Sequence, residues 1–132
     1  TDSAGTVPIN ALEWDSYTFG VTGSTYSVAE LCPSPVSVAP NTAGTLVVTL
    51  VPNTANSLRV EVIGNGAPLS DATVTLSSPG NVTHTSSSCG QAFFEGLSVS
   101  TYTLTVSKSG YQDNVQQVSV GGATVVTVPL VP

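Results

Sequence analysis

A stretch of sequence occurs twice in this chain at a constant offset. Residues 1–26 and 86–111 align without a gap, 85 positions apart. Identical residues recur along this alignment: Ser3 and Ser88, Gly5 and Gly90, Leu12 and Leu97, Tyr17 and Tyr102, Thr18 and Thr103, Val21 and Val106, Ser24 and Ser109, Tyr26 and Tyr111. The copies also end alike, in VTLVP (48–52) and VPLVP (128–132). Such a repeat predicts tandem modules, and arrays of this kind commonly serve as spacers or polymers.

The two copies differ in how much sequence precedes them. Residues 57–85 lead into the second copy and have no counterpart before residue 1. We therefore predict a complete seven-stranded β-sandwich module at 57–132. At 1–56 we predict the C-terminal half of another module, lacking its first strands. The chain has no methionine, so we do not expect Thr1 to be a translation start.

The charge content restricts the partners that this chain can have. Charged residues make up 8% of it, against about 25% in a typical soluble protein. The net charge is −6, and the only basic residues are Arg59 and Lys108. We therefore expect no nucleic acid partner, because phosphate binding needs clustered basic residues. No apolar run approaches the roughly 18 residues that span a bilayer, so we expect no membrane span.

Alternation of apolar and polar residues predicts strands throughout the chain. Turns rich in glycine and proline, such as GNGAPLS (64–70), separate the segments, and no segment keeps a helical period. The predicted core-facing positions of the second module include Leu58, Val60, Val62, Ala72, Val74, Leu76, Tyr102, Leu104 and Val106. Pro129 has no backbone donor, which predicts that the last strand is an edge or is bulged. Short strands at spacings near ten residues predict an all-β sandwich.

Particular motifs resemble a known family. A resemblance to the carboxypeptidase regulatory-like (transthyretin-like) modules is carried by SSSCGQAFFEGLSVSTYTLTVSKSGY (86–111), preceded by GAPLSDATVTL (66–76). Residues 1–26, the first copy of the repeat, show the same motif. The phrases LEWDSYTF (12–19) and NTANSLRVEV (53–62) are similar to repeats in pilin-like bacterial surface proteins. The resemblance implies tandem Ig-like or transthyretin-like sandwiches that act as non-catalytic extracellular modules.

The incomplete first copy needs cover for its apolar face. Residues 1–52 are predicted to supply only the last four strands of a sandwich, which would expose an apolar face and an unpaired edge. The missing strands could lie in sequence before Thr1, or a neighbouring subunit could donate them. Alternatively, the half sheet could pack face to face on the complete module. Donation between copies would propagate head to tail as a fibre.

The two cysteines allow two arrangements. Cys32 and Cys89 form no CxxC or Cys/His cluster, so we expect no metal site. One intrachain disulfide in an oxidising compartment is the simplest expectation. In an end-to-end array, however, the cysteines would lie about one module apart, beyond the roughly 6 Å between Cα atoms that a disulfide requires. Either the modules pack side by side, or the bond joins two chains.

The remaining polar and aromatic candidates do not form a catalytic pattern. His84 is the only histidine, and Glu13 and Asp15 flank Trp14 in a turn that the second copy builds from other residues. We therefore predict no catalytic residue and no cofactor. Trp14 is predicted to be an interface anchor or, alternatively, a platform for sugar stacking. Asn81 begins the only N-glycosylation sequon, Asn-Val-Thr, and is a candidate glycosylation site.

These features together predict a structural protein outside the cell or on its surface. Our interpretation is a subunit of a fibre, pilus or surface stalk, assembled head to tail from copies of itself through strand complementation of the N-terminal module. Attached glycans are a further expected partner. The alternative is a non-catalytic module of a larger secreted protein that binds carbohydrate or protein.

Overall fold

The structure is a computed structural model, and it describes residues 1–23 and 25–132. Ser24, one member of the repeat, lies outside the described residues. The strands are β1 (Ser16–Tyr17), β2 (Tyr26–Cys32), β3 (Val36–Ser37), β4 (Val47–Pro52), β5 (Ser57–Gly64), β6 (Ala67–Pro68), β7 (Thr73–Ser77), β8 (Asn81–Thr85), β9 (Gln91–Phe94), β10 (Ser100–Ser107), β11 (Asn114–Val120) and β12 (Ala123–Leu130). The predicted all-β sandwich is confirmed.

The second part of the chain forms two four-stranded sheets packed face to face. One sheet has the order β11-β10-β7-β8, and in the other β5 lies between β12 on one edge and β6 and β9 on the other. Residues 57–132 thus hold eight strands, where the sequence predicted seven, because the turn after β5 closes with the two-residue β6. In the described part of the chain, no helix is long and apolar enough to cross a membrane.

The strand β5 is the centre of its sheet. It runs parallel to β12 along its whole length, from Ser57 to Gly64. On its other edge it pairs antiparallel with β9 over Leu58–Glu61. Its alternation turns Leu58, Val60 and Val62 into the core, where all three are fully buried or nearly so. The core-facing positions that alternation predicted are buried: Leu58, Val60, Val62, Ala72, Val74, Leu76, Tyr102, Leu104 and Val106.

The edges of the sandwich carry polar or interrupted strands. Among the described residues, β12 pairs with β5 alone, so Pro129 lies in an edge strand, which is one of the two alternatives that its missing donor predicted. At the far edge of the other sheet, every residue of β8 is exposed. His84 in this strand nevertheless meets the buried ring of Phe94 edge to face, with ring centroids 4.7 Å apart.

The described residues of the N-terminal region contain four strands, but these do not form one sheet. β1 pairs with β3 over two residues, and β2 pairs with β4 over six positions with a bulge between Val28 and Glu30. The repeat matches β4 with β12, and β2 follows the first copy as β11 follows the second; β11 and β12 pair with β10 and β5 in two different sheets. Without such partners, β2 and β4 satisfy each other's backbone groups. The assignment of 1–56 to half a module stays a prediction.

The equivalent glycines Gly5 and Gly90 provide a matched test of this packing. Both have a positive φ, +75° and +72°. A Cβ at Gly90 would lie 2.5 Å from the carbonyl oxygen of Val62 and 2.9 Å from the backbone nitrogen of Leu69, whereas one at Gly5 would meet nothing within 4 Å. Gly5→Ala should therefore cost only the backbone term, about 1–2 kcal/mol. Gly90→Ala should cost about 1–3 kcal/mol more, because the core must shift.

Urea denaturation followed by circular dichroism would measure both losses in the free energy of unfolding. Equal losses for the two variants would contradict the close approach of the 87–91 turn to β5.

Candidate functional site

The same turn is built twice from different residues. The Oδ1 atom of Asp2 accepts hydrogen bonds from the backbone N–H groups of Ala4 (2.9 Å) and Thr6 (2.8 Å), and two backbone hydrogen bonds close the turn. The equivalent turn at 87–91 has the same four hydrogen bonds, with the Oγ of Ser87 in place of the carboxylate. The repeat is therefore present in the structure as well as in the sequence.

A tyrosine contact is also repeated. The hydroxyl of Tyr17 donates to the backbone carbonyl oxygen of Glu13 at 2.9 Å. The hydroxyl of Tyr102 donates to the backbone carbonyl oxygen of Ser98 at 3.2 Å. Both contacts span four residues, so they need no other part of the module. Tyr102 is buried in the core, whereas Tyr17 is only half-buried. The first copy thus retains the local geometry of the module without its core.

Residues 6–9 are the equivalent of β9 but form no strand. At the offset of 85, Val7 aligns with Ala92 and Ile9 with Phe94. Val7 and Ile9 are 60% and 55% exposed, whereas their counterparts are 4% and 1% exposed. The counterparts are buried because β9 pairs with β5 and faces the core. The apolar side chains of 6–9 lack that cover.

The strand β4 shows the same contrast. The chain ends align at an offset of 80, which matches Val48 with Val128 and Leu50 with Leu130. Val48 and Leu50 are 37% and 45% exposed, and their counterparts 0% and 4%. Within the described residues, β4 pairs with β2 alone, so its outer edge has no strand neighbour. An apolar strand with an open edge is a template for strand addition.

Side chains from the sandwich hold β2 in place. The amide of Gln91 bonds both backbone groups of Leu31: the N–H of Leu31 donates to Oε1 at 2.9 Å, and Nε2 donates to its carbonyl at 2.7 Å. The guanidinium of Arg59 donates to the carbonyl of Val28 at 3.3 Å and contacts Glu61 at 3.3 Å. Gln91 is buried, so these contacts replace a rung of the β-ladder with side-chain groups.

A disulfide fixes the same junction covalently. Cys32, at the end of β2, is bonded to Cys89 in the turn before β9, with their Cα atoms 5.7 Å apart. Glu30 lies near both sulfur atoms, at a spacing found among metal ligands. The sulfur atoms are joined to each other and are not thiolates, and the carboxylate of Glu30 accepts a hydrogen bond from Ser87. Of the two arrangements left open, the structure has the intrachain bond, because β2 lies beside β9.

A cleft of about 410 Å³ separates β2 from the outer face of the sandwich sheet. Its lining includes Tyr26, Val28, Arg59, Phe93 and Val125. The guanidinium in this cleft is already engaged by a backbone carbonyl and a carboxylate. The cleft therefore combines aromatic and aliphatic side chains with hydroxyl and amide groups, and its charge is partly neutralised.

The other predicted residues lie on the surface. Trp14 is exposed, and its repeat counterpart Val99 is exposed to the same extent, so this position is open even in the complete module. Asn81 is exposed at the start of β8. Near Trp14, the Oδ1 atom of Asp15 accepts a hydrogen bond from the N–H of Ser16 at 2.7 Å.

Comparison with known proteins decides the family of the chain. The model of the carboxypeptidase regulatory-like domain matches residues 57–131, more than half of the sequence. The chain belongs to the carboxypeptidase regulatory-like family. The resemblance predicted from the 86–111 motif is therefore confirmed. The regulatory-like domain is a non-catalytic domain type. The sequence has no match among curated proteins.

Two solved structures are similar to this regulatory-like chain at low sequence identity. The Bacillus anthracis TIE protein is 18% identical, with a TM-score of 0.53, over 66% of this chain and 20% of that one. GBS52, the minor pilin of Streptococcus agalactiae, is 18% identical, with a TM-score of 0.49, over 72% of this chain and 55% of that one. This chain therefore spans about a fifth of the first protein and about half of the second. The similarity to the first protein describes the fold alone.

We expect the disulfide to contribute to the stability of the single chain. Replacing both Cys32 and Cys89 with serine should lower the free energy of unfolding by about 2–4 kcal/mol, because the unfolded chain regains the freedom of a long loop. Urea denaturation with and without reductant measures this. Reductant should destabilise the wild type and leave the double variant unchanged. Disulfide-linked multimers on a non-reducing gel would contradict the intrachain bond.

We expect Asn81 to carry a glycan in the native material. Its exposure on an edge strand leaves the amide accessible. Intact mass spectrometry should give a mass above the 13.3 kDa of the bare chain, and Asn81→Gln should remove the excess. Asn10→Gln, at an exposed asparagine outside any sequon, is the control. A native mass equal to that of the bare chain would exclude the modification.

Proposed function

We propose that this chain is a structural subunit of an extracellular or cell-surface fibre, pilus or stalk, assembled head to tail from copies of itself. The observation that carries the proposal is β4, an apolar strand with an open edge and exposed Val48 and Leu50. Soluble proteins normally blunt such edges with lysine, proline or a covering segment. Here Pro52 interrupts only the end of the strand.

The joining step that we propose is strand complementation of the N-terminal region. A strand from a neighbouring copy would pair with the backbone groups along β4 and cover its apolar side chains, so that hydrogen bonding and apolar burial act together. The acceptor lies in the first half of the chain, and the complete module lies in the second. Such a contact joins two different surfaces, and it propagates as an open array.

The covalent and charge properties support a location outside the cytosol. The Cys32–Cys89 disulfide would persist in an oxidising compartment. The surface carries few charges, and the regulatory-like sandwich is a non-catalytic domain type. These features suit a mechanical role, in which ladders and buried valine faces hold the assembly together.

A second candidate function rests on Trp14. This exposed ring could anchor a protein partner or stack on a sugar, in a non-catalytic binding module of a larger secreted protein. Retention of the chain on immobilised polysaccharides, lost in Trp14→Ala, would favour this candidate.

The fibre proposal predicts a specific loss of assembly. Leu50→Lys should reduce the assembled fraction about tenfold, because a charged side chain on an edge strand opposes strand addition. Val115→Lys is the matched control, since Val115 is an exposed apolar residue on the edge strand β11. Sedimentation velocity over a dilution series, with negative-stain imaging, measures the assembled fraction.

The wild type and the control should form elongated particles that resist dilution. A wild type that stays monodisperse and monomeric at every concentration would contradict self-assembly. A Leu50→Lys variant with the same assembled fraction as the wild type would show that β4 is not part of the contact between copies.

A further inference from the structure

We propose that Cys32, Cys89 and Glu30 form a Zn²⁺ site when the disulfide between the two cysteines is reduced. The inference goes beyond the proposed function and does not depend on it. Two thiolates and one carboxylate would bind the ion, and water would fill the fourth position of the tetrahedron. The ion would then take the place of the disulfide in joining β2 to the turn at 87–91.

The three side chains lie together at the junction between β2 and the sandwich. The two sulfur atoms and a carboxylate oxygen of Glu30 lie within 4.8 Å of one another, and all three residues are partly buried. Two sulfur atoms on one zinc ion would be roughly 3.8 Å apart, given Zn–S distances of about 2.3 Å. Rotation of the cysteine side chains can supply this separation once the S–S bond is broken, because their Cα atoms are 5.7 Å apart.

The fold points the three ligands toward one another. Glu30 and Cys32 are two residues apart in β2, so they project from the same face of the strand. In the turn that carries Cys89, the hydroxyl of Ser87 donates a hydrogen bond to the carboxylate of Glu30. A hydrogen bond of this kind fixes the orientation of a metal-binding carboxylate. The spacing in the sequence did not indicate this set, because the cysteines are 57 residues apart.

Other contacts would keep β2 in place after reduction of the disulfide. The buried amide of Gln91 makes two hydrogen bonds to the backbone of Leu31, the residue between two of the proposed ligands. The guanidinium of Arg59 donates to the carbonyl of Val28. These contacts do not involve a sulfur atom. Zinc binding would therefore not have to close a long loop, since the folded chain already brings the ligands together.

The exchange of the disulfide for an ion requires a dithiol as reductant. The S–S bond of the protein breaks, its two sulfur atoms gain two electrons and two protons, and the dithiol becomes a disulfide. Zn²⁺ then displaces both thiol protons, because the thiolate is the form that binds metal. Sulfur ligands favour Zn²⁺ over Mg²⁺ and Ca²⁺, which prefer oxygen.

The test uses the full chain, with Co²⁺ as a spectroscopic probe for the zinc site. A phosphine reduces the disulfide and becomes its oxide, and it is removed under nitrogen before metal is added. The reduced chain should develop thiolate-to-cobalt charge-transfer absorption that saturates at one ion per chain, and Zn²⁺ should abolish this absorption. The oxidised chain, and the variant with serine in place of both Cys32 and Cys89, should show none.

The variant Glu30→Gln tests the third ligand. It should weaken Zn²⁺ binding to the reduced chain at least about tenfold, because a neutral amide replaces a charged carboxylate ligand. Glu95→Gln, at an exposed carboxylate beyond the end of β9, is the matched control and should leave binding unchanged. The oxidised forms of both variants should have the urea midpoint of the wild type, which separates loss of a ligand from loss of folding.

Urea denaturation gives a second measure of the site. Zn²⁺ should raise the urea midpoint of the reduced chain and leave that of the oxidised chain unchanged, because an ion that binds the folded state stabilises it. An unchanged midpoint of the reduced chain, binding of Co²⁺ by the oxidised chain, or equal binding by Glu30→Gln and the wild type would overturn the site. Unfolding of the chain on reduction, seen by circular dichroism, would overturn it too. The presence or absence of filaments decides the fibre proposal alone.

Discussion

The structure depends on the pairing of β5 with strands on both of its edges. A buried strand must satisfy its backbone N–H and C=O groups, and β5 does so through β12 on one side and β9 on the other. Its alternate side chains then fill the core from one face of the sheet. The complete module closes around this strand. The first copy has no comparable strand in the described residues, and there the same types of segment lie open.

The contrast between the two copies separates local from long-range determinants of folding. The turn at Asp2 and the tyrosine contact at Tyr17 form in the first copy because their partners lie within a few residues in the sequence. The counterparts of residues 6–9 and of β4 pair with the distant strand β5, whereas in the first copy residues 6–9 form no strand and β4 pairs with β2. Proximity in sequence thus decides which parts of a repeat persist when its core is not assembled.

Much of the fold follows from the sequence for the same reason. Alternation identified the core residues of β5, β7 and β10, and Pro129 identified an edge strand, because these signals reside in short segments. The cysteines left two arrangements open, since no local pattern reveals which segments lie side by side. The pairing of β2 with β4 was not predicted. The two hydrogen bonds between the amide of Gln91 and the backbone of Leu31 were not predicted either. A glutamine in a strand has the same local pattern whether its amide binds water or a distant backbone.

The parallel arrangement of β5 and β12 has a mechanical consequence. The chain enters β5 at one end of the ladder and leaves β12 at the opposite end. Tension applied along the polypeptide through these two strands would therefore act in shear, and every rung would share the load instead of opening one after another. The Cys32–Cys89 bridge encloses the segment that contains β5, so tension from the N-terminal region enters the sandwich at Cys89 while the bridge is intact. The shear geometry of β5 and β12 would carry that tension once the bridge is reduced.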